Sequence, residues 1–157
     1  DIFTIDFPQN ITQVHFIKLR LFDTKGKEVA NTFYWRSNDK YEGRKTLTGP
    51  TSSGFEDLSK LKQVQLKTRY QTYQEGDRHF IKAEIKNPSS TVAFFTQLQL
   101  LGQDKKPVRP SFYTDNFFSL LPGESKTVII ETAASDMPSE PTFVVKGWNI
   151  KPSSFKL

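Results

Sequence analysis

The chain has 157 residues and a formal net charge of +5, from 22 Lys and Arg against 17 Asp and Glu. This length predicts one domain, or one domain with a piece of another, and a core large enough to fold without cross-links. The absence of cysteine excludes disulfides, zinc–cysteine sites and thiol catalysis, and no signal peptide or apolar membrane span is visible. Fourteen Phe against one Met, with 8 Gly and 9 Pro as turn formers, indicate an all-β protein.

The first predicted element is a β-hairpin whose strands are residues 14–22 and 28–36. Apolar and polar side chains alternate along the first strand, and residues 23–27 have the composition of a turn. Because two strands cannot bury a face by themselves, the hairpin either joins a following sandwich or ends a preceding domain. The second alternative is favoured.

Residues 38–54 lack periodicity and are rich in Gly, Ser and Thr, which predicts a loop or linker. Residues 55–61 then predict a single helical turn, with Asp57 or Ser59 as its candidate cap. The predicted organisation is therefore two-part. Residues 1–48 are the C-terminal strands of a preceding β-sandwich domain plus a linker, and residues 49–157 are a complete C-terminal immunoglobulin-like sandwich.

The second part shows the pattern of a small sandwich of six or seven strands. Period-two alternation or continuous apolar character marks the clearest strands, which are residues 64–70, 81–86, 92–101, 126–132 and 142–150. Between two of them, residues 121–124 (Leu-Pro-Gly-Glu) predict a type II turn, because Gly123 accepts the positive φ of the third position. The number and spacing of the strands are typical of an immunoglobulin-like fold.

Catalytic chemistry has few candidates. His15 and His79 are the only histidines, and each lies at a strand position without a second ligand at metal-binding spacing. No nucleophile elbow, phosphate loop or dinucleotide motif occurs, and the carboxylates are scattered over predicted turns rather than paired. The chain alone is predicted not to be an enzyme and to bind no metal or cofactor.

Binding through aromatic side chains is harder to exclude, because planar rings stack on sugars and bases. The candidates include Trp35, Tyr41 and Trp148, and for each tryptophan packing in a core is favoured over stacking on a ligand. Basic residues cluster between residues 59 and 74, but no nucleic-acid motif accompanies them. A solvated surface is favoured, and neither nucleic acid nor a membrane is expected as a partner.

Short motifs in a particular order carry a family resemblance. They are Tyr34-Trp35, Asp57-Leu58-Ser59, Thr114-Asp115-Asn116, Leu121-Pro122-Gly123-Glu124 and Gly147-Trp148-Asn149. In this order they resemble the C-terminal region of family 2 glycoside hydrolases of the β-mannosidase and exo-β-glucosaminidase kind. The first motif resembles the end of the sandwich that follows the catalytic barrel, the second the connector, and the others the terminal immunoglobulin-like domain.

The resemblance implies a parent enzyme that is a retaining exo-acting β-glycosidase, hydrolysing O-glycosidic bonds with two glutamates in a (β/α)₈ barrel. Such a barrel needs about 250 residues, and no position of this chain matches the family's catalytic residues. The implied role is a non-catalytic accessory region that braces the barrel, with other domains of the same polypeptide as partners. A periplasmic or extracellular location is also implied by the family.

Four residues are candidates for a contact with carbohydrate or with another domain: Tyr113, Asp115, Asn116 and Trp148. Because Asp and Asn tolerate left-handed backbone and bond nearby amides, a structural corner at residues 113–116 is favoured over a contact with barrel or substrate. Two other functions stay open. One is a carbohydrate-binding module that uses exposed aromatics, and the other is a surface adhesion sandwich that binds a protein partner.

Overall fold

The structure is a computed structural model that describes residues 4–38 and 54–157. The chain divides into two compact units, Asp1–Leu61 and Lys62–Leu157. The loop predicted at residues 38–54 lies almost entirely outside the described residues, as does Tyr41. Within the two described ranges, no helix is long and apolar enough to cross a membrane.

The first unit contains the predicted hairpin. Strands β1 (Val14–Phe22) and β2 (Glu28–Ser37) pair antiparallel in a two-stranded sheet of their own. At the turn, the Asp23 carboxylate accepts hydrogen bonds from the backbone N–H groups of Lys25 and Lys27, each at 2.9 Å. The short Asp side chain therefore organises the turn, as turn chemistry predicts.

The predicted helical turn is present as a 3₁₀ helix at Glu56–Lys60. The expected cap is wrong, because no side chain caps its N-terminus. Ser59 instead donates from its hydroxyl to the Glu56 carbonyl at 2.6 Å, and Asp57 forms an exposed ion pair with Lys60. Both side chains act within the turn because they lie inside it rather than before it.

The second unit, which is described in full, confirms the all-β immunoglobulin-like sandwich. Its strands are β3 (Lys67–Glu75), β4 (Arg78–Lys86), β5 (Ala93–Leu101), β6 (Phe112–Tyr113), β7 (Phe118–Leu120), β8 (Ser125–Ala133), β9 (Thr142–Gly147) and β10 (Ile150–Lys156). One four-stranded sheet has the order β10-β9-β5-β7 and the other β3-β4-β8-β6. A second 3₁₀ helix, Ala134–Asp136, connects β8 to β9.

The core lies between the two sheets and follows the predicted alternation. In β4, Ile81, Ala83 and Ile85 are buried, while the intervening charged residues are exposed. The buried residues pair across the sheet with β8, where Ile81 lies opposite Ile130 and Ala83 opposite Val128. The facing sheet contributes buried apolar residues from β5, β7 and β9, which are Ala93, Leu98, Leu100, Phe118, Leu120, Phe143 and Val145.

The first strand of the sandwich begins later than its alternation predicts. Val64 and Leu66 are buried as expected, but β3 starts only at Lys67. Val64 instead forms an isolated parallel bridge with Ile150, and its carbonyl accepts from Lys151 N–H at 2.9 Å. The segment before β3 thus bonds to the sheet opposite to β3. Alternation cannot predict this, because it shows which face of a strand a side chain lies on and not which strand pairs with it.

The predicted strand at residues 142–150 is two strands. β9 ends at Gly147, the chain turns at Trp148 and Asn149, and β10 begins at Ile150. The sequence conceals β10 because Pro152 lacks a donor and normally argues against a strand. Here the proline lies in an outer strand of the sheet, where the β10–β9 register shifts between Ile150 and Ser153.

The Leu-Pro-Gly-Glu turn is confirmed. Gly123 has φ +81°, and Glu124 N–H donates to the Leu121 carbonyl at 3.1 Å. Next to this turn, Asn87 is fully buried and its side-chain amide donates to the Leu120 carbonyl at 3.0 Å. The turn that joins β7 of one sheet to β8 of the other is therefore supported by a buried amide as well as by its own backbone bond.

Candidate functional site

The four candidate residues lie in two segments that flank strand β5. Tyr113, Asp115 and Asn116 lie at and after the end of β6, before β7, whereas Trp148 lies in the turn between β9 and β10. Since β5 is hydrogen-bonded to β7 on one edge and β9 on the other, both segments adjoin the same strand. Their side chains, however, face different surroundings.

Tyr113 and Asn116 complete the hydrogen bonding of β5. The Tyr113 phenol oxygen accepts from Leu100 N–H at 3.0 Å. The Asn116 side chain accepts from Leu98 N–H at 2.8 Å and donates to the Leu98 carbonyl at 3.0 Å. Because β7 is only three residues long, these side chains take the place of further strand partners, and their polar groups are used inside the domain.

Asp115 is likewise engaged within the domain. Its carboxylate pairs with the Lys126 ammonium of β8 and accepts from Asn116 N–H at 2.7 Å. The same ammonium lies 5.1 Å from the centre of the Phe118 ring. Asp115 therefore ties the segment before β7 to β8 and is not presented as a free carboxylate.

Burial raises the pKa of the Tyr113 phenol, an effect larger than the opposing hydrogen bonds from Leu100 N–H and Ser111. Because the unfolded chain ionises this tyrosine first, we expect the free energy of unfolding to fall as pH rises above about 10. Tyrosinate absorbance of the folded chain should show a late step that Tyr113→Phe removes. The control is Tyr34→Phe, at an exposed position, which should leave the late step in place. A late step that persists in Tyr113→Phe would show that Tyr113 is not the tyrosine with the raised pKa.

The turn that carries Trp148 is held by its neighbour Asn149, which is buried. The Asn149 side-chain oxygen accepts from Phe94 N–H at 2.8 Å, and its amide donates to the carbonyls of Lys62 and Val92 at 2.9 and 2.8 Å. Gly147 precedes this turn where an added Cβ would lie 2.9 Å from the Phe95 carbonyl oxygen. Glycine and asparagine thus fix the turn, and Trp148 projects outward with 59% of its surface exposed.

Three exposed aromatic residues at and near this turn are here called the aromatic surface: Phe95, Phe117 and Trp148. Phe95 is 39% exposed and Phe117 49%, and their ring centres are 5.4 Å apart. Trp148 N–H donates to the carbonyl of Phe94, the residue before Phe95, at 3.1 Å. The backbone of the turn therefore adjoins the start of β5, where Phe95 lies.

Two residues of the aromatic surface have unusual backbone conformations. Phe95 has φ +57° and Phe117 has φ +58°, a left-handed region that disfavours bulky L-residues by about 1–2 kcal/mol each. At Phe95 the β5–β7 register shifts, so that Phe94 is buried and Phe95 exposed. Sequence reasoning missed Phe95 and Phe117. For Phe95 a signal was present, because two adjacent phenylalanines in one strand, Phe94 and Phe95 of β5, normally face opposite sides.

The expectation of packing in a core is wrong for Trp148 of the sandwich, whereas for Trp35 of the hairpin it stays a prediction about the preceding domain. Trp35 on β2 and Trp148 are both exposed, as are Tyr34 beside Trp35 and Phe112 on β6. Trp35 lies two residues after Phe33 and therefore points to the same face of β2. Two strands alone cannot cover either face of the sheet that they form. Parity therefore identifies the face of a strand and not whether that face is covered.

The two histidines lie on different strands, His15 on β1 and His79 on β4. His15 packs its ring against Phe7 at 5.5 Å between centres, and its ring nitrogens are buried with no hydrogen-bond partner among the described residues. His79 lies on β4 opposite Thr132. Among residues 4–38 and 54–157, no three His, Asp or Glu side chains gather as metal ligands would.

Comparison with protein families identifies the sandwich. Residues 46–150 match the family model described as the exo-β-D-glucosaminidase Ig-fold domain. The chain is 30% identical over 149 residues to an exo-β-D-glucosaminidase of Streptomyces avermitilis, and 27% identical over 157 residues to one of Amycolatopsis orientalis. These matches cover 88% and 93% of this chain but only 16% and 15% of the relatives.

Solved structures agree on the fold. A crystal structure of the exo-chitosanase CsxA of Amycolatopsis orientalis superposes with a TM-score of 0.84 at 22% identity, over 99% of this chain and 19% of that one. A structure of CsxA, there called an exo-β-D-glucosaminidase and inhibited by a glucosamine-configured castanospermine and an amino-australine analogue, gives a TM-score of 0.82 at 24% identity, with the same coverage. The described strand arrangement thus recurs in a region of larger proteins.

Proposed function

Because the chain belongs to the family of exo-β-D-glucosaminidase Ig-fold domains, we propose that it is a non-catalytic accessory region of a multidomain glycoside hydrolase. In this role it braces the catalytic barrel and the other domains of the same polypeptide. The chain spans about one-sixth of the curated relatives it matches, 16% and 15% of their lengths. Most of such a protein therefore lies outside the region described.

The observation that carries this proposal is how the polar candidate residues are used. Tyr113 and Asn116 bond the backbone of β5, and Asp115 pairs with Lys126. None of these three groups is presented to a substrate as an acid, base or nucleophile, which glycoside hydrolysis needs in the form of two carboxyl groups flanking the bond. What the domain presents instead is a rigid framework with apolar rings on its surface, which suits a structural role.

For the parent enzyme we propose hydrolysis of O-glycosidic bonds in β-D-glucosaminides, because the relatives are named exo-β-D-glucosaminidases. This is the exo-β-glucosaminidase half of the sequence resemblance, within family 2 glycoside hydrolases. A β-mannosidase-like specificity receives no support from the matches above. Export of the parent to the periplasm or the exterior stays a prediction.

For residues 1–48 we propose the end of a preceding sandwich. The hairpin exposes large apolar side chains on both strands, which are Leu21, Phe22, Val29, Tyr34 and Trp35. A two-stranded sheet is marginally stable in water, and three or more strands with a covered face are needed for independent stability. Further strands from the same polypeptide would cover this apolar surface and complete the sheet.

The purified chain is expected to hydrolyse no aryl β-D-glucosaminide, because the groups that glycoside hydrolysis requires lie elsewhere in the parent. The measurement is release of the aryl alcohol by equimolar chain and parent enzyme, with a substrate-only blank as the control. The parent is expected to turn over and the chain to match the blank. Activity that stays with the chain at constant specific activity through successive purification steps would contradict the accessory role.

A carbohydrate-binding module is the second candidate, and the exposure of Trp148 favours it because indole rings stack on sugars. The charge of the chain argues against it for the proposed substrate. Polymers of glucosamine carry positive charge on their protonated amines, and a chain of net charge +5 repels them. The brace is therefore the primary proposal.

A further inference from the structure

We propose that the aromatic surface of Phe95, Phe117 and Trp148 is the place where this domain docks on an apolar surface of another domain of the parent glycosidase. The inference rests on the proposed accessory function and adds to it a named surface and the chemistry of its partner.

The chemistry of the aromatic surface suits a protein partner. Phe95 and Phe117 offer apolar rings without any hydrogen-bonding group, and aromatic residues are enriched at the centres of protein interfaces. Sugar sites combine rings with polar groups that fix the orientation of the ligand. The side-chain amides adjacent to this surface in sequence, those of Asn116 and Asn149, form internal hydrogen bonds to the backbone.

The backbone conformation gives an independent reason. Both Phe95 and Phe117 lie in the left-handed region, where glycine or asparagine would be favoured on grounds of folding alone. Residues held in sparsely populated backbone conformations cluster at functional sites such as active sites, ligand clamps and switch regions. A large apolar side chain at each of these positions therefore indicates a contact outside the domain.

The aromatic surface is also rigidly presented. Asn149 ties the Trp148 turn to three backbone groups, and Asn116 ties the segment before Phe117 to both backbone groups of Leu98. Surfaces that are held in their bound conformation lose less entropy on association. The rings of the aromatic surface are therefore already ordered before the domain docks.

The partner that covers the aromatic surface is inferred from how much polypeptide the related enzymes have beyond this region. The chain covers only 16% and 15% of the exo-β-D-glucosaminidases it matches, so the other domains of such an enzyme are tethered to it. Tethering converts docking into an intramolecular step with an effective concentration on the order of millimolar. A surface of three rings is then sufficient, whereas it would be small for a complex between separate proteins.

Hydroxyl-radical footprinting read by mass spectrometry tests the docking surface directly. The samples are the 157-residue chain and the complete parent enzyme. Labelling of Phe117 and Trp148 is expected to fall several-fold in the parent. The internal control is Phe112, which is 56% exposed on β6 of the other sheet and is expected to label equally in both samples.

A matched pair of variants separates docking from folding. Phe117→Gly relieves the backbone strain, so the chain should keep or gain stability, while Trp148 in the parent should lose its protection. Lys105→Gly is the control, because Lys105 has nearly the same φ, +59°, in the turn beyond the other end of β5. It should leave the protection of Trp148 intact.

Each remaining outcome overturns the inference. Equal labelling of Phe117 and Trp148 in chain and parent would show that no domain covers the surface, although the accessory role would stand if the chain lacked hydrolase activity. Protection of Trp148 in the isolated chain by chitosan oligosaccharides would assign the surface to sugar. Protection that rises with chain concentration would assign it to a second copy, and an equal loss of labelling at Phe112 would show that the effect is not specific to this surface.

Discussion

Replacing Asn149 with alanine is expected to lower the free energy of unfolding of the sandwich by about 3 kcal/mol. The substitution removes an acceptor from Phe94 N–H and a donor from the carbonyls of Lys62 and Val92. These bonds join three segments distant in sequence, and a buried backbone group left without a partner costs about 1–3 kcal/mol. Denaturant unfolding followed by circular dichroism measures the change, and hydrogen exchange at the Phe94 amide should accelerate.

The control for this substitution is Asn31→Ala, which deletes the same atoms from an exposed side chain on β2 whose amide contacts only Glu28 among the hydrogen bonds described. Surface substitutions of this kind usually stay within about 0.5 kcal/mol. A loss in Asn149→Ala as small as that of the control would show that the turn between β9 and β10 does not depend on this side chain.

Replacing Phe143 with alanine is expected to lower the free energy of unfolding by about 4 kcal/mol, because truncating a buried phenylalanine loses burial and leaves a cavity. Phe143 is fully buried on β9, and its ring lies 6.2 Å from that of Tyr70 and 5.7 Å from that of Phe155 between centres. These residues come from three strands in two sheets, so one truncation loosens the packing between the sheets. Denaturant unfolding again provides the measurement.

Phe112→Ala is the matched control, since it removes the same atoms from a ring that is largely exposed on β6. Its expected loss is under about 1 kcal/mol, including the contact between that ring and the Arg78 guanidinium 5.9 Å away. Similar losses in the two variants would mean that the core between the sheets does not dominate the stability of this domain.

The stability of the sandwich and its docking are expected to depend on different residues, although these residues lie close together in the sequence. Asn149 and Phe143 are buried and support the sandwich, whereas Trp148 is exposed. A loss of docking without a loss of stability is therefore expected only from substitutions on the aromatic surface. The separation arises because the turn places a buried asparagine directly after an exposed tryptophan.

Several elements were predictable because their signals are local. The hairpin of β1 and β2, the alternation of β4 and the turn with Gly123 at φ +81° all appear as predicted. Alternation reports the two faces of a strand, and turn residues report the backbone angles that they tolerate. Neither signal requires knowledge of distant residues.

The candidate site was predictable only in part. The motifs containing Asn116 and Asn149 stand out in the sequence, but the distant backbone groups that they bond do not. Phe95 and Phe117 were missed because each adjoins a buried phenylalanine, and only a register shift or a positive φ decides which of the two faces outward. Strand β10 was missed because its proline is tolerated only at a sheet edge.

The all-β class, the hairpin, the strand faces and the absence of thiol chemistry were determined by the sequence itself, since composition and period-two patterning are properties of neighbouring residues. The tertiary structure alone decided that the segment at Val64 joins the sheet opposite to β3, that Trp148 lies on the surface, and that the exposed rings of Phe95 and Phe117 lie next to each other. The physical reason is that strand partners and solvent exposure depend on segments far apart along the chain. A local pattern specifies a face but not what covers it.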